Sequence, residues 1–377
     1  MSLFDLSLDE LRTRTSVKWR AYPPDVLPLF VAEMDVTPPD AVIEAVHDAM
    51  LRGDTGYDHG PAYAEAFAEL AERRYGWSPD PRTMSPVADV MTGVAEVLRL
   101  VTEPGDAVVV TPPVYPPFYA FVEHADRRVE TAPLTAGHRL DLAALEAAFE
   151  RAARASRRPA LLLCQPHNPT GTVHTAEELA AVGELAHRHG VAVVADEIHA
   201  PLVLTGTFVP TTTVIPDAVA LHSASKAFNL AGLRAAVAVP GPEAAATLAR
   251  MPEIVGHGVQ HVAVVAQVAA MREGDAWLDE LLGDLRANAT HLRARLDEQL
   301  PQAGWTPPAA TYLAWIDLRD VVPDEDPSRR LVKDHRLAVN QGTTFGPQGA
   351  GHVRLNYATS TALLDEAVAR LASLRTP

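Results

Sequence analysis

The chain has 377 residues, 47% of them hydrophobic and 21% charged, which is typical of a globular protein with room for two domains. A formal net charge of −16 argues against non-specific nucleic-acid binding, because phosphate repels an acidic surface. No apolar run reaches the roughly eighteen residues that span a bilayer. The N-terminus has no signal-peptide pattern, and the single Cys164 excludes an intramolecular disulfide. We therefore expect a cytoplasmic protein with no membrane or nucleic-acid partner.

The early part of the chain is irregular up to residue 37, and helices are predicted from Pro38 to Arg52 and over 62–74. Short apolar segments and helical patterns then alternate. Short apolar strands between helices favour a parallel sheet covered on both faces. Predicted strands lie at 87–91, 106–111, 128–132, 159–164, 191–195, 218–221 and 235–239, with helices at 93–101, 115–123, 142–155 and 176–189. We predict an α/β fold with a mostly parallel seven-stranded sheet.

The last part of the chain has a different pattern. Helices dominate from 243 to 300, and strands at 312–318 and 352–357 precede a final helix after Thr361. This pattern predicts a smaller α+β domain. We expect residues 1–48 to be an N-terminal segment packing with that domain, 49–280 to be the large domain, and 281–377 to be the small C-terminal domain.

Unusual polar residues follow the predicted strands, where ligands bind in open α/β sheets. Lys226, one of three lysines, follows the strand at 218–221; a desolvated lysine can form an imine, whereas an arginine cannot. Asp196 closes the strand at 191–195, and a buried carboxylate needs a partner, either a structural one or a protonated ring nitrogen. Asn168 lies in a Pro- and Gly-containing loop that would hold it as a hydrogen-bond donor, unless the loop is a plain turn.

Other candidate residues lie nearby in the pattern. Thr92–Ala95 joins the first strand to a helix, where free N–H groups attract phosphate. Tyr115 could stack on a planar ring or belong to the core. Arg354, inside a predicted strand, suits bidentate binding of a carboxylate. His257 and His261 are spaced to share a helical face, but a zinc site needs a further ligand, and we predict no metal site.

Taken in order, these motifs resemble the fold-type I enzymes that use pyridoxal 5′-phosphate (PLP), the aspartate aminotransferase superfamily. Within it the strongest likeness is to the cystathionine β-lyases of the MalY/PatB type, which are C–S lyases. The segments that carry this likeness are Ser16–Trp19, Pro28–Asp35, Gly56–Tyr57, Pro166–Pro169 and Asp196–His199, where His199 replaces a tyrosine of the general aminotransferase pattern. Glu33, Gln165, Ala224 and Gln341 depart from the family pattern without removing a catalytic group, so they bear on the substrate.

The resemblance implies a homodimer in which Lys226 holds PLP and removes the Cα proton of the substrate. Arg354 would bind the substrate α-carboxylate. The residues implied to contact the cofactor are Gly93, Val94, Ala95, Tyr115, Asn168, Asp196, His199, Ser223, Lys226 and Arg234, with Tyr57 reaching the phosphate of the neighbouring subunit.

The implied reaction is α,β-elimination of L-cystathionine, or of a related S-substituted L-cysteine, to pyruvate, ammonia and a thiol. An aminotransferase is an alternative, because both reactions begin with loss of the Cα proton. A regulatory protein that retains PLP and binds a partner protein is a second alternative.

Overall fold

A computed structural model describes residues 2–375 of the chain. Its strands are β1 (Leu27–Pro28), β2 (Ser85–Val87), β3 (Ala107–Val110), β4 (Arg128–Thr131), β5 (Ala160–Cys164), β6 (Ala192–Asp196), β7 (Val219–His222), β8 (Ala236–Pro240), β9 (Leu313–Asp317), β10 (Leu337–Ala338), β11 (Asn340–Gln341) and β12 (His352–Asn356). The ends of the first and third predicted domains, residue 1 and residues 376–377, lie outside the described residues.

Several of the α-helices begin at a side-chain cap or end at a glycine in the left-handed conformation. At the helix over 176–189, Thr175 and Glu178 form a capping box, and Gly190 ends the helix in the left-handed conformation. The helices are α1 (Leu8–Arg12), α2 (Val17–Arg20), α3 (Asp40–Arg52), α4 (Ala62–Tyr75), α5 (Val90–Val101), α6 (Pro117–His124), α7 (Leu142–Ala155), α8 (Ala176–His189), α9 (Thr211–Val214), α10 (Ala245–Leu248), α11 (Glu253–Gly256), α12 (His261–Glu273), α13 (Asp275–Gln299), α14 (Pro327–His335) and α15 (Thr361–Ala372). No helix within residues 2–375 is long and apolar enough to cross a membrane.

The large sheet has seven strands in the order β2-β8-β7-β6-β5-β3-β4. Neighbouring strands are parallel except around β8, which is antiparallel to both β7 and β2. The register pairs Cys164 with Asp196 and Asp196 with Leu221. The carboxyl ends of β5, β6 and β7 therefore lie side by side, and the predicted mostly parallel seven-stranded sheet is confirmed.

Successive residues of the central strands pack on opposite faces of this sheet. Leu161 belongs to one buried cluster with side chains of α7 and α8, and Leu162 belongs to another with side chains of α5 and α6. Burying a leucine or valine side chain stabilises the fold by about 1.5–3 kcal/mol. Both faces are thus covered by helices, which explains why the strands are continuous apolar runs.

A smaller antiparallel sheet has the order β11-β12-β9. The N-terminal segment packs against the same region, because β1 pairs in parallel with β10 through Leu27 and Leu337. The packing of residues 1–48 with a separate small domain stays a prediction. The domain boundaries themselves stay predictions.

One predicted boundary is wrong. The apolar run 87–91 is not a single strand, since β2 ends at Val87 and α5 begins at Val90. Asp89 is the reason: its carboxylate accepts a hydrogen bond from Thr92 N at 2.9 Å and caps the helix. Helix α5 therefore begins three residues earlier than the predicted start at Gly93.

Candidate active site

The polar residues that follow β5, β6 and β7 line one cavity of about 310 Å³. The sheet topology brings them together, because these strands are parallel neighbours whose carboxyl ends lie at one edge. Of the residues predicted from sequence, those that line the cavity are Tyr115, Asn168, Asp196, His199, Ser223, Lys226 and Arg234.

Lys226 presents an amine to this cavity. Its Nζ donates a hydrogen bond to the backbone oxygen of Ala32 at 3.0 Å. Burial, and then the positive charge of Arg354, lower the pKa of Lys226 to about 8, against the opposing effect of Asp196 and Glu33. A substantial fraction of this lysine is therefore neutral, and nucleophilic, only slightly above neutral pH.

Asp196, at the end of β6, is 4% exposed. One of its carboxylate oxygens accepts a hydrogen bond from Ile198 N at 3.1 Å. Burial and the nearby charge of Glu197 raise the pKa of Asp196 to about 7, against the opposing effects of the Ile198 hydrogen bond and of Lys226. A carboxylate this deeply buried is costly unless a cation pairs with it, so the site is prepared for a protonated ligand nitrogen.

Arg354 lies behind Asn168. Its Nη1 donates to Asn168 Oδ1 at 3.0 Å, and its guanidinium lies over the ring of Phe345 at 5.0 Å. Burial lowers the pKa of Arg354 to about 10. Arg354 is not among the residues that line the cavity, but it contacts one that does. It is therefore a buried cation beside the cavity.

The loop that carries Asn168 is held by a close approach of two chain segments. Gly171 has φ 66°, and a Cβ atom there would lie 2.5 Å from the backbone oxygen of Ala310. Gly171 O also accepts a hydrogen bond from Ala310 N at 2.9 Å. Glycine is therefore required for both its conformation and its size, and the loop is anchored rather than mobile.

Two neutral aromatic groups complete the wall. Burial lowers the pKa of His199 to about 3, and its Nδ1 is buried without a hydrogen-bond partner among the described residues. Burial raises the pKa of Tyr115, whose ring packs edge-on against Phe118 at a centroid distance of 6.0 Å. Both side chains are uncharged at neutral pH and present polar atoms near the cavity.

The predicted phosphate site needs correction at Gly93, Val94 and Ala95. Helix α5 begins at Val90, so these residues lie beyond its first turn, and Gly93 N already donates to Asp89 O at 2.8 Å. The free N–H groups of a helix belong to its first positions. Here those positions are residues 90–92, and all of them line the cavity. The N–H group of Thr92 is bonded to the cap at Asp89, so those of Val90 and Met91 are left for a ligand.

The glycine at position 93 has a different explanation. A Cβ atom there would lie 2.8 Å from both Leu221 Cδ1 and Val87 Cγ2, which are core side chains. Gly93 thus allows α5 to pack closely on the sheet. The signal that could have located the helix start is Asp89, three residues before Thr92, a spacing typical of an N-cap.

Ser223 and Arg234 flank the same helix start. Ser223 Oγ donates to Ala235 O at 2.8 Å, and an Arg234 nitrogen lies 3.4 Å from Asp89 Oδ2.

Sequence reasoning missed Gln267 on α12, whose side-chain oxygen accepts from Ala224 N at 3.0 Å. Gln267 thereby holds the segment before Lys226. Ser225, to which the sequence assigned no separate role, also lines the cavity next to Lys226.

Tyr57 and the histidine pair lie away from this cavity. Tyr57 is 94% exposed. The prediction that His257 and His261 share a helical face is wrong, because His261 begins α12 whereas His257 follows α11. The ring of His261 instead lies 3.2 Å from carboxylate oxygens of Asp54 and Asp58. Within residues 2–375 no group of three or more potential ligands is placed to hold a metal ion.

The donor set of the cavity fits pyridoxal 5′-phosphate. An amine, Lys226, suits the aldehyde, and the buried carboxylate of Asp196 suits a protonated pyridine nitrogen. The start of α5 together with Arg234 suits the phosphate. These groups lie near the edge at which the sheet topology brings the strand ends together. The match to the cofactor therefore depends on where the fold places the residues as well as on their chemical types.

Comparison with known proteins gives the same family. The profile of the family "Aminotransferase class I and II" matches residues 24–371. A Mycobacterium tuberculosis protein, named provisionally as a cystathionine beta-lyase, is 51% identical, with 98% of this chain and 97% of the relative covered. The cystathionine beta-lyase of Corynebacterium glutamicum is 34% identical, with 97% and 98% covered. The crystal structure of the PLP-bound C-S lyase from Staphylococcus hominis has a TM-score of 0.89 at 25% identity, with 99% of this chain and 98% of that chain covered.

Proposed function

The chain belongs to the class I and II aminotransferase family, and we propose that it is a PLP-dependent C–S β-lyase. It would cleave L-cystathionine, or a related S-substituted L-cysteine, to pyruvate, ammonia and a thiol. The observation that carries this proposal is the placement of Lys226 and Asp196 in one cavity beside the buried cation Arg354. Relatives that match over nearly the whole chain and are named cystathionine beta-lyases favour the lyase within the family.

When bound, PLP supplies an electron sink that stabilises negative charge at the substrate Cα. Lys226 is the residue that holds the cofactor and then takes the Cα proton. Its pKa of about 8 suits both roles, because a general base works best when its pKa lies near the working pH. The backbone oxygen of Ala32, 3.0 Å from Nζ, orients the amine.

Asp196 keeps the ring nitrogen of the cofactor protonated. An adjacent cation would lower the pKa of Asp196 from about 7 and hold the carboxylate ionised. Asn168, Tyr115 and His199 line the same cavity. Asn168 would bond the ring oxygen of the cofactor, Tyr115 would stack on the ring, and His199 would be an uncharged neighbour.

Arg354 binds the α-carboxylate of the substrate and so orients the Cα–H bond toward Lys226. Once the Cα proton has moved to Lys226, the Cβ–S bond would break, and the sulfur would leave as a thiolate that takes up a proton to give the thiol. The remaining three-carbon unit takes up water to give pyruvate and ammonia. Transamination would instead retain the Cβ–S bond.

The phosphate would be held by the N–H groups at the start of α5, by Ser223 and by Arg234. We propose that Tyr57 of a second copy completes this end of the site in a homodimer. In support, Tyr57 is 94% exposed in the single chain, and Leu51 and Ile254 are also exposed at 73% and 70%. We also propose a cytoplasmic location, in line with the single, unpaired Cys164.

The test incubates the purified holoenzyme with L-cystathionine and no 2-oxo acid. We expect pyruvate and free thiol to appear in equal amounts. Turnover that requires a 2-oxo acid and releases no thiol would identify an aminotransferase instead. A Lys226→Ala variant should lose the visible absorbance of the lysine-bound cofactor, and a variant that kept that absorbance would overturn the assignment of Lys226.

A further inference from the structure

Asn340 and Arg354 are directly opposite each other on the antiparallel strands β11 and β12. Arg354 Nη2 donates a hydrogen bond to Asn340 Oδ1 at 2.6 Å. Cross-strand neighbours of this kind are set by the register of the sheet. The contact is therefore built into the small sheet and does not depend on a flexible loop.

All the acceptors that hold the guanidinium are neutral. Within the described part of the chain they are Asn340 Oδ1, Asn168 Oδ1 at 3.0 Å and the backbone oxygen of Phe30 at 3.2 Å. A guanidinium has five N–H donors, so donors remain, among them a buried Nε–H with no partner among the described residues. The side chain is fixed in position while its charge is left uncompensated.

We propose that Asn340 is a specificity-determining positioning residue, which fixes Arg354 through a neutral acceptor and so reserves its charge for the carboxylate of the substrate. The inference rests on the proposed function, in which Arg354 is the carboxylate-binding residue. It explains why an amide rather than a carboxylate stands opposite a buried arginine.

An aspartate at position 340 would have the same shape but the opposite effect. Placed 2.6 Å from Nη2, its oxygen would form an internal ion pair with Arg354. An incoming carboxylate would then meet a neutralised pair and the repulsion of a second carboxylate. An aspartate would still accept the hydrogen bond from Arg354. If Asn340 acts only as a hydrogen-bond acceptor, Asn340→Asp should bind a carboxylate normally, whereas the proposed role predicts weaker binding.

The experiment titrates holoenzyme with L-alanine and with L-alaninamide and follows the visible absorbance of the cofactor. Neither ligand has a leaving group on Cβ, so binding is measured without elimination. For Asn340→Asp we expect the Kd for L-alanine to rise about tenfold or more and that for the uncharged amide to stay unchanged. For Asn340→Ala we expect a smaller, several-fold rise that is again confined to L-alanine, because Arg354 loses one of its supports.

Gln348→Glu is the matched control. It makes the same change from an amide to a carboxylate in the loop before β12, at an exposed side chain. This variant should bind L-alanine like the unmodified enzyme. The proposal is overturned if Asn340→Asp binds L-alanine normally, if both ligands weaken equally, or if Gln348→Glu gives the same loss.

A failure of the proposed lyase function would be distinguishable. An enzyme that releases no pyruvate from thioethers would still show the Asn340 effect on L-alanine binding, provided that Arg354 binds the carboxylate. Conversely, Asn340→Asp could release pyruvate normally and bind L-alanine with an unchanged Kd. This result would support the lyase function and contradict the proposed role of Asn340.

Discussion

Asn229 and Met34, which are 195 residues apart in the sequence, exchange a pair of hydrogen bonds. Met34 N donates to Asn229 Oδ1 at 2.8 Å, and Asn229 Nδ2 donates to Met34 O at 2.9 Å. Asn229 follows Lys226 closely in sequence, and Met34 follows Ala32, whose oxygen accepts from Lys226 Nζ. The pair therefore fixes the N-terminal segment against the segment that carries Lys226.

Replacing Asn229 should loosen this connection. Asn229→Ala removes both hydrogen bonds, each worth about 1 kcal/mol, and places alanine at φ 57°, which costs about a further 1–2 kcal/mol. Asn229→Gly removes the bonds without the conformational cost, so we expect it to be less destabilised. Urea unfolding of the two variants measures the difference, and equal stability of Asn229→Ala and the parent protein would contradict the prediction.

The N-terminal segment is also held by a buried ion pair. Lys18 Nζ lies 2.7 Å from Asp35 Oδ1, and both side chains are essentially inaccessible, at 0% and 1% exposed. Lys18→Met leaves the carboxylate of Asp35 buried and unpaired, which should cost about 3–5 kcal/mol. The double variant with Asp35→Leu should recover part of this loss in urea unfolding. A double variant that is less stable than Lys18→Met would show that the pair is not coupled.

Gly171 and Gly206 form a matched pair of glycines. Both have positive φ, 66° and 82°, but they differ in the space around them: a Cβ atom at Gly171 would lie 2.3 Å from Pro308 Cβ, whereas one at Gly206 would have nothing within 4 Å. Gly206→Ala should therefore cost about 1–2 kcal/mol through conformation alone. Gly171→Ala should cost about 1–3 kcal/mol more because of overlap. Thermal unfolding of both variants measures the two losses of stability. Equal losses for Gly171→Ala and Gly206→Ala would contradict the prediction.

The sequence predicts the parts of this protein that depend on local patterns. The apolar strands are visible as runs, and the rule for parallel sheets places Asn168, Asp196 and Lys226 at one edge. The helices α7 and α8 have the predicted bounds. The predicted start of α5 is wrong because an apolar run of this length fits a strand and a helix equally well, and the deciding group is the cap at Asp89.

Contacts between distant residues could not be predicted in this way. Gln267 supports the segment before Lys226 from the middle of α12, and nothing in the pattern of that helix marks it. Asn340 opposes Arg354 only because the register of β11 and β12 makes it do so. Such side chains become recognisable once the backbone is in place, since their roles lie in geometry rather than in residue type.

The raised pKa of Asp196 predicts a pH dependence of the apoprotein. The folded state keeps this proton up to a pKa of about 7, whereas the ordinary value is 3.8. The folded state thus binds more protons between these values, so stability falls as pH rises through this window and levels off above it. Asp196→Asn removes this titrating group. The free energy of unfolding of the variant, relative to that of the parent apoprotein, should rise by about 2–3 kcal/mol from about pH 5 to about pH 7. Urea unfolding at several pH values measures it, and a constant difference would contradict the assignment.

Tyr57 provides the test of a site shared between two copies. If its hydroxyl binds the cofactor phosphate, Tyr57→Phe should weaken cofactor binding about tenfold or more, because a hydrogen bond to a charged group is lost. Fluorescence titration of the apoprotein with PLP measures this. Phenylalanine retains the ring, so packing at the interface is largely preserved. A loss of cofactor binding in this variant therefore reports on the hydroxyl group.

Mixing variants then shows which copy supplies the hydroxyl. A hybrid of one Lys226→Ala chain and one Tyr57→Phe chain has one site in which both residues are intact, provided that Tyr57 acts across a two-fold interface. An equal mixture, refolded together and assayed at limiting PLP, should recover about a quarter of the parental activity. If Tyr57 acted within its own chain, no site in the hybrid would hold both residues, and the mixture would be no more active than the average of the two separate variants.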